Sequence, residues 1–186
     1  MNNKQKRYMK VKRVNSILCS LVWIPLSFPF FVLVFLINLV YTKGHPFFKQ
    51  ERVGYQGEIF TIYKFQTMKE DDEHISLWGR FLRFTSLDEL PQFINILLGK
   101  MTFIGPRPLS IKDKDMNELR KNSNPSPFSV RPGLTGYGQI NFHKAYSNEE
   151  KVNNDIYYVE HFSLLLDLKI LLITIFKLVP ITIHNK

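Results

Sequence analysis

The stretch that determines the fold runs from Val14 to Thr42 and reads VNSILCSLVWIPLSFPFFVLVFLINLVYT. These 29 residues contain no Asp, Glu, Lys or Arg. As one straight helix the run would be about 43 Å long, which exceeds a bilayer hydrocarbon core of about 30 Å. It is too long for the core of a signal peptide, and no cleavage pattern of small residues follows it. A membrane segment is therefore expected, with the buried helix of a soluble protein as the weaker alternative.

Two prolines, Pro25 and Pro29, lie inside this run, and each removes a backbone hydrogen bond from a helix. Cationic residues flank it, with a basic arm before it and Lys43 and Lys49 after it. Because such residues favour the cytoplasmic side, both ends are expected there. A helix broken near Pro29 that enters and leaves through one leaflet fits this pattern. A simple span is the alternative, and it would put the polar remainder outside the cell, where nucleotide substrates are scarce.

The chain has 186 residues and a formal net charge of +9, which is concentrated near its start. The first 13 residues hold six cations and no acid, namely Lys4, Lys6, Arg7, Lys10, Lys12 and Arg13. Such an arm suits an anionic membrane surface. Nucleic acid is the rival partner for the arm, but no basic stripe elsewhere would follow a phosphate backbone, so no nucleic-acid partner is expected. Cys19 is the only cysteine, which excludes an internal disulfide and a cysteine metal site.

A second stretch, RFTSLDELPQ at positions 83–92, carries two adjacent carboxylates, Asp88 and Glu89. Ser86 and Glu89 fit the capping-box pattern S-x-x-E. The pattern predicts that a helix begins at Ser86 and that both acids lie in its first turn, where the helix dipole favours negative charge. Capping alone would be enough to explain the two acids.

Basic residues near the acids favour a catalytic role. Arg83 precedes them, and Arg107 follows in a rigid GPRP turn. Carboxylates beside fixed arginines suit phosphoryl chemistry, in which a carboxylate acts as nucleophile or holds Mg²⁺. Lys64, in an alternating stretch, is either an exposed strand lysine or a phosphate contact. The glycine-rich run from Arg131 to Gln139 either forms plain turns or presents donors to a phosphate or uracil.

The remaining patterns predict a mostly helical α+β fold. Strands at Phe47–Val53 and Glu58–Phe65 are expected to form a short β-hairpin. Helices are expected at Leu77–Phe84, Phe93–Leu98, Lys112–Asn124, Ser147–His161 and Leu164–Val179. The first and last of these are expected to be interfacial amphipathic helices, the last one docked at the interface or on the membrane segment. Residues 1–45 would form the basic arm and membrane helix, and residues 46–186 the cytoplasmic catalytic domain, as one functional unit.

Six short motifs follow one another along the chain. They are Lys12-Arg13 before the apolar run, YKFQTM at 63–68, SLDELPQ at 86–92, GPRPL at 105–109, RPGLTG at 131–136 and DIYYV at 155–159. Each is weak alone, but the ordered set resembles the monotopic phosphoglycosyl transferases, the bacterial sugar transferase family of small membrane enzymes. The resemblance runs from about Lys12 to about Lys177. It implies a monotopic membrane protein with an N-terminal re-entrant broken helix and both helix ends in the cytoplasm.

The resemblance also implies an activity, the transfer of a phosphosugar from a UDP-sugar to a polyprenyl phosphate, usually undecaprenyl phosphate, with release of UMP. It implies Mg²⁺ as cofactor, membrane lipids as partners, and the opening step of bacterial glycan assembly (capsule, O-antigen, exopolysaccharide or glycoprotein) on the cytoplasmic face of the inner membrane. A non-catalytic membrane-anchored adaptor is the alternative function. The donor sugar and the pathway are not readable from the sequence, and homodimer formation is left open.

Site residues follow from the matched motifs. Asp88 matches the family's nucleophile, which forms a covalent phosphosugar-aspartyl intermediate. Glu89 matches the second member of the dyad, and both acids are expected at the metal. The positions expected to bind substrate are Arg107, Arg83, Lys64, Arg131 and Gln139. Phe28 and Pro29 fall where the family has a helix-breaking Ser-Pro.

Three positions depart from the family pattern. Ser16 replaces the acid of a Lys-Arg-x-x-Asp start, which predicts looser anchoring near Arg13. Phe28 replaces the serine of the helix break, so Ser27 is expected to substitute for it. Gln66 stands where Lys or Arg is common, which puts a substrate contact there in doubt. The Asp-Glu dyad and both Arg-Pro turns are intact, so an active enzyme is expected.

Overall fold

The computed structural model describes residues 3–68, 75–141 and 146–178. A long helix, α1 (Asn3–Tyr41), precedes a body of short strands and helices. The strands are β1 (Phe47–Val53), β2 (Ile59–Phe65), β3 (Thr102–Ile104), β4 (Leu109–Ser110) and β5 (Gly133–Thr135). The other α-helices are α2 (Leu77–Thr85), α3 (Gln92–Leu97), α4 (Lys114–Asn122), α5 (Tyr137–Ile140), α6 (Asn148–His161) and α7 (Leu164–Leu178). The predicted mostly helical α+β fold is confirmed.

The predicted β-hairpin is present. β1 and β2 pair antiparallel, with Phe47 opposite Phe65 and Val53 opposite Ile59. β4, which follows the GPRP turn at 105–108, adds to the other edge of β1. β3, which precedes that turn, pairs in parallel with β5. The GPRP turn therefore connects the two sheets and is held from both sides.

α1 is one continuous helix in which Pro25 and Pro29 are internal. Its buried residues form two groups, Ser16 and Ser20 before the two prolines and Val34 and Asn38 after them. Between them, large apolar side chains are exposed: Leu21, Val22, Trp23, Leu26, Phe28, Phe30, Val32 and Leu33. By length and composition, α1 is the one helix among the described residues that is long and apolar enough to cross a membrane. An exposed apolar stretch between two buried groups is the pattern of a segment whose partner is lipid.

The expected break at Phe28 and Pro29 does not interrupt the helix, since both residues lie within α1. The Ser27 hydroxyl donates to the carbonyl oxygens of Trp23 at 2.7 Å and Ile24 at 3.3 Å. Such bonds back to the preceding turn bend helices. The re-entrant path of the segment stays a prediction.

Asp167 ties α7 to the start of α1. Its Oδ2 lies 2.7 Å from Lys12 Nζ and accepts a hydrogen bond from the Tyr8 hydroxyl at 2.8 Å. Its Oδ1 accepts a hydrogen bond from the Tyr158 hydroxyl at 2.7 Å. Asp167 is only 4% exposed, so these partners stabilise a charge that burial would otherwise penalise. This contact joins α7 to the part of α1 that precedes the charge-free run, so the docking of α7 on the membrane segment itself stays a prediction.

Arg13 anchors α1 to the end of α3. It donates to the carbonyl oxygens of Ile96 at 2.6 Å and Leu97 at 3.2 Å. In place of an acid at position 16, α3 carbonyls hold Arg13 and Asp167 supplies a carboxylate to the neighbouring lysine, and the looser anchoring stays a prediction.

The capping box predicted around the two acids is wrong. Ser86 has φ 56°, ends α2, and makes no side-chain capping bond. An N-cap residue needs extended backbone, which this left-handed conformation does not provide. Asp88 and Glu89 lie instead in a 3₁₀ turn at Leu87–Glu89, and α3 begins only at Gln92. The acids therefore project from a tight turn between two helices rather than from the first turn of one.

Candidate active site

Asp88 and Glu89 line a cavity of about 1120 Å³ that is bordered by the hairpin, α1 and α7. The structure brings most of the sequence-predicted polar site residues to this cavity, namely Asp88, Glu89, Lys64, Arg83, Arg107 and Gln139. Gln66 lines it as well. The cavity therefore unites elements that lie far apart in the sequence.

The two acids share one cation, Lys64, and Glu89 has a second, Arg107. Lys64 Nζ, near the end of β2, lies 2.5 Å from Glu89 Oε1 and 3.5 Å from Asp88 Oδ2. Arg107 Nη2 lies 3.5 Å from Glu89 Oε1. The Arg107 side chain is 46% exposed, against 9% for Asp88. Glu89 is thus held by two cations, while Asp88 makes a single longer contact and is the less constrained carboxylate.

The environment shifts the pKa values of the two acids in opposite directions. Burial raises the pKa of Asp88, and the Glu89 charge adds to this, although the charge of Lys64 opposes it. Burial alone would raise the pKa of Glu89 as well, but the charges of Lys64 and Arg107 outweigh this effect and hold that pKa below its usual value. Two neighbouring acids whose pKa values are separated in this way are typical of sites in which each has its own task. Here Glu89 stays ionised beside its cations, and Asp88 is the more basic carboxylate.

Arg83 and Gln139 complete the polar side of the cavity. Arg83 Nε donates to Thr67 Oγ1 at 2.9 Å, which fixes its guanidinium near Asp88. Gln139 Nε2 donates to the Leu134 carbonyl oxygen at 3.0 Å. The Gln139 Oε1 is buried and has no partner among the described residues, so it is free to accept a hydrogen bond from a ligand.

The structure does not bring Arg131 to this cavity. Its Nε donates to the Gly99 carbonyl oxygen at 2.9 Å, and its guanidinium lies over the Tyr55 ring, 4.9 Å from the centroid. Arg131 lines a separate depression of about 370 Å³. Nothing in this placement supports the substrate contact that we predicted for it.

Three residues that had no predicted role hold the GPRP turn. Arg120 of α4 forms a buried ion pair with Asp155 of α6, and the two residues are 3% and 5% exposed. Arg120 Nη1 also donates to the Arg107 carbonyl oxygen at 2.8 Å. Arg52 Nη1 of β1 donates to the Pro108 carbonyl oxygen at 3.1 Å. The backbone that presents Arg107 is therefore fixed from two sides. Asp155 is part of a recognised motif, but no local pattern connects it with an arginine 35 positions away.

The two acids could form part of a metal site, but they do not complete one. The described residues contain no group of three or more His, Cys, Asp or Glu that could hold a metal ion. Asp88 and Glu89 both approach one point, which is taken by the Lys64 ammonium. Proteins often bind Mg²⁺ through one or two carboxylates, while water and substrate phosphates supply the other ligands. The pair fits such a site, and Mg²⁺ stays a prediction.

Part of the cavity wall is apolar, and α1 and α7 contribute to it. The apolar residues that these helices contribute include Trp23, Leu164, Leu168, Leu171 and Ile175. The charged turn and this apolar wall face one continuous space. The arrangement suits a molecule that has an anionic head and a long apolar chain.

Comparison with known proteins places the chain in a family. The bacterial sugar transferase family matches residues 7–180. The "uncharacterized sugar transferase EpsL" of Bacillus subtilis is 40% identical over 158 residues, which cover 78% of this chain and 77% of that protein. The UDP-glucose:undecaprenyl-phosphate glucose-1-phosphate transferase of Klebsiella pneumoniae is 32% identical over 186 residues, which cover 91% of this chain.

An N-acetylgalactosaminephosphotransferase of Aeromonas hydrophila, which its name assigns to UDP-N-acetylgalactosamine and undecaprenyl phosphate, is 32% identical over 183 residues and 90% of this chain. The matched regions cover only 40% of the Klebsiella enzyme and 43% of the Aeromonas enzyme, so the chain spans less than half of either. The match to the family nevertheless extends over nearly the whole chain. The chain belongs to the bacterial sugar transferase family and is an enzyme of its phosphoglycosyl (sugar-1-phosphate) transferase group.

Proposed function

We propose that the protein transfers a phosphosugar from a UDP-sugar to undecaprenyl phosphate, with release of UMP, and so begins the assembly of a bacterial polysaccharide. The observation that carries the proposal is one cavity whose lining includes Asp88, Glu89, Lys64 and Arg107 together with apolar side chains, among them those of α7. A nucleotide sugar needs the cationic side, and a polyprenyl phosphate needs both sides. The Klebsiella and Aeromonas relatives carry names with these two substrate classes.

In the first step the Asp88 carboxylate attacks the sugar-linked phosphorus of the UDP-sugar. A bond forms between Asp88 Oδ and phosphorus, and the bond from that phosphorus to the bridging oxygen breaks, so that UMP leaves with the electron pair. Lys64 and Arg107 offset the charge that develops on the phosphate oxygens. Glu89 keeps both cations in place. Bound Mg²⁺ would neutralise further phosphate charge, with Asp88 and Glu89 as its ligands from the chain.

In the second step a phosphate oxygen of undecaprenyl phosphate attacks the same phosphorus. The Asp88–phosphorus bond breaks, and the carboxylate returns to its ionised form. The product carries the sugar through a diphosphate on the lipid. Two steps at one carboxylate allow two bulky substrates to use the site in turn, and the apolar wall would hold the lipid during the second.

We further propose that α1 is re-entrant, so that the active site faces the cytoplasm. Both ends of α1 contact the same body, which supports this topology. Arg13 near the start bonds to α3, and Asn38 near the end donates to the carbonyl oxygens of Gln66 at 2.8 Å and Pro46 at 3.2 Å. A straight span would carry these ends to opposite membrane surfaces. Ser27 and Pro29 supply a place for the helix to bend.

Cysteine labelling in intact cells tests the topology. In a Cys19→Ser background, we expect Lys4→Cys and Lys43→Cys both to be protected from a membrane-impermeant maleimide and to react after the cells are opened. The two positions flank the charge-free run and are exposed, so a difference between them reports sidedness. Labelling of one position but not the other in intact cells would contradict re-entry.

Replacing Lys64 by Met should move the pH profile of the enzyme. Lys64 lowers the pKa of Asp88 against the effect of burial, so its removal should raise that pKa further. As the solution is acidified, Asp88 would then become protonated, and so unreactive, at a higher pH. The acid limb of the rate profile should therefore shift to higher pH. We also expect the plateau rate to fall by about 100-fold, because a phosphate-facing cation is lost.

Lys49→Met, on the exposed surface of the same hairpin, is the matched control, and it should leave the profile in place. If the acid limb of Lys64→Met coincides with that of the control, the assigned coupling between Lys64 and Asp88 is wrong.

The proposed function is tested by release of UMP. The full chain, purified in detergent with Mg²⁺ and undecaprenyl phosphate, should release UMP from at least one member of a panel of UDP-sugars and form a lipid-linked sugar. The adaptor alternative requires that no member of the panel releases UMP from folded protein. Transfer of sugar without UMP release would contradict the proposed reaction.

A further inference from the structure

The depression that contains Arg131 lies apart from the candidate active site. We call it the basic depression and define it by five of its lining residues, namely Arg13, Tyr55, Leu98, Lys100 and Arg131. None of these five lines the large cavity. The basic depression has a volume of about 370 Å³, which is enough for a small charged group.

Positive charge in the basic depression is poorly compensated. Arg13 and Arg131 both donate to backbone carbonyls around the end of α3, and their charges repel each other. Among the described residues, neither guanidinium forms an ion pair. Glu58 also lines the depression, but it pairs with Lys100 at 3.3 Å. Three cations therefore face one acid, and an anion that entered would relieve the repulsion between the arginines.

The Arg131 side chain is arranged to bind such an anion. Only its Nε is used in a hydrogen bond among the described residues, so both terminal nitrogens keep their N–H groups available. Its guanidinium lies over the Tyr55 ring, and this contact fixes the orientation of the guanidinium plane. A fixed arginine fork with free N–H groups matches the oxygens of a phosphate.

The surroundings favour a lipid phosphate over a soluble one. Arg13 is the last charged residue before the charge-free run from Val14 to Thr42, so it lies where the chain enters its apolar segment. Leu98, which lines the depression, is 66% exposed, and Ile94, one helical turn before it, is 46% exposed. An exposed apolar pair next to unpaired cations can contact an acyl chain and its headgroup together.

We propose that the basic depression binds the phosphate of an anionic membrane phospholipid, with Arg13 and Arg131 on the phosphate oxygens and Leu98 against the acyl chain. A lipid held there would fix the catalytic body against the membrane surface. It would leave the cavity of Asp88 free for both reaction partners. The proposal does not depend on the reaction proposed above.

Lipid binding to the full chain in a non-ionic detergent tests the proposal. Native mass spectrometry would count bound dioctanoyl phosphatidylglycerol, dioctanoyl phosphatidylcholine and inorganic phosphate in separate titrations. We expect one saturable phosphatidylglycerol, bound at least about tenfold more tightly than phosphatidylcholine. Equal retention of inorganic phosphate would overturn the lipid assignment in favour of a soluble anion. Equal binding of the two lipids would overturn the role of the uncompensated charge.

Variants of equal charge separate this site from the general attraction of the basic arm. Arg131→Gln should weaken phosphatidylglycerol binding about tenfold and remove its saturation. Lys10→Gln, an exposed position in the arm, should change the affinity less than about twofold. Lys100→Gln disturbs only an exposed ion pair and provides a second test if Arg131→Gln does not fold. If the substitutions in the basic depression and Lys10→Gln in the arm weaken phosphatidylglycerol binding equally, the proposal is overturned.

Discussion

Asp88→Asn should abolish UMP release, with a fall in rate of at least about 10⁴-fold. The amide has the shape of the carboxylate but cannot form the bond to phosphorus. Because burial raises the pKa of Asp88, the folded site disfavours the charged form, and a neutral amide removes that penalty. The variant should therefore unfold at a temperature no lower than the parent protein. Loss of activity without loss of stability distinguishes a nucleophile from a residue that only supports the turn.

Asp115→Asn is the matched control for this substitution. Asp115 is an exposed acid in the first turn of α4, and it should tolerate the amide with unchanged UMP release. Both proteins would be assayed over the same panel of UDP-sugars, with unfolding followed in the same detergent. If Asp88→Asn keeps more than about a tenth of the parent rate, Asp88 is not the nucleophile.

Arg120→Met should have the largest effect on stability, a loss of about 3–5 kcal/mol in the free energy of unfolding. It leaves the Asp155 carboxylate buried without its partner and releases the Arg107 carbonyl oxygen. For a chain of this size the loss corresponds to a fall in unfolding temperature on the order of 10 °C. We also expect KM for the UDP-sugar to rise more than kcat falls, because the loop that presents Arg107 loses a support.

The loss of unfolding free energy caused by Arg120→Met should become smaller at acidic pH. Burial already raises the pKa of Asp155 against the charge of Arg120, and removal of Arg120 raises it further. In the variant, folding takes up a proton at Asp155, which becomes easier as the pH falls from 7 towards the ordinary aspartate pKa of about 3.9. Lys121→Met, at an exposed neighbour on α4, is the control. If the two variants unfold at the same temperature at neutral pH, the buried pair does not hold the turn.

Local patterns predicted the secondary structure where no long-range contact competes with them. β1 has the predicted bounds, and α6 begins after a complete capping box between Ser147 and Glu150. The same S-x-x-E pattern failed at Ser86. Pro91 follows there at a position where its ring would clash with a carbonyl of the preceding turn, so a helix that began at Ser86 could not continue. The residues after an apparent cap therefore decide whether it opens a helix.

The parallel pairing of β3 with β5 explains which predicted site residues meet. Thr102 lies opposite Gly133, and Ile104 lies opposite Thr135. Arg131, just before β5, therefore lies beside the segment that precedes β3. Gln139, which follows β5, lies towards the other end with the GPRP turn that follows β3. Motif spacing alone does not contain this register, so the sequence could not separate Arg131 from the others.

Long-range ion pairs were the other features that the sequence did not predict. Lys12 was noted for its charge, but its pairing with Asp167 depends on how α7 docks on α1. A charge inside an otherwise apolar helix, such as Asp167, indicates that a buried partner exists without indicating which residue it is.

The most direct test is to look for the covalent intermediate. The full chain would be incubated with the donor UDP-sugar and Mg²⁺ without undecaprenyl phosphate, and then digested and mapped by mass spectrometry. We predict a phosphosugar on the peptide that contains Asp88, together with release of UMP no greater than the amount of enzyme, and loss of the adduct when undecaprenyl phosphate is added. Multiple turnovers with no adduct on Asp88, or an adduct on another residue that the lipid discharges, would contradict the account.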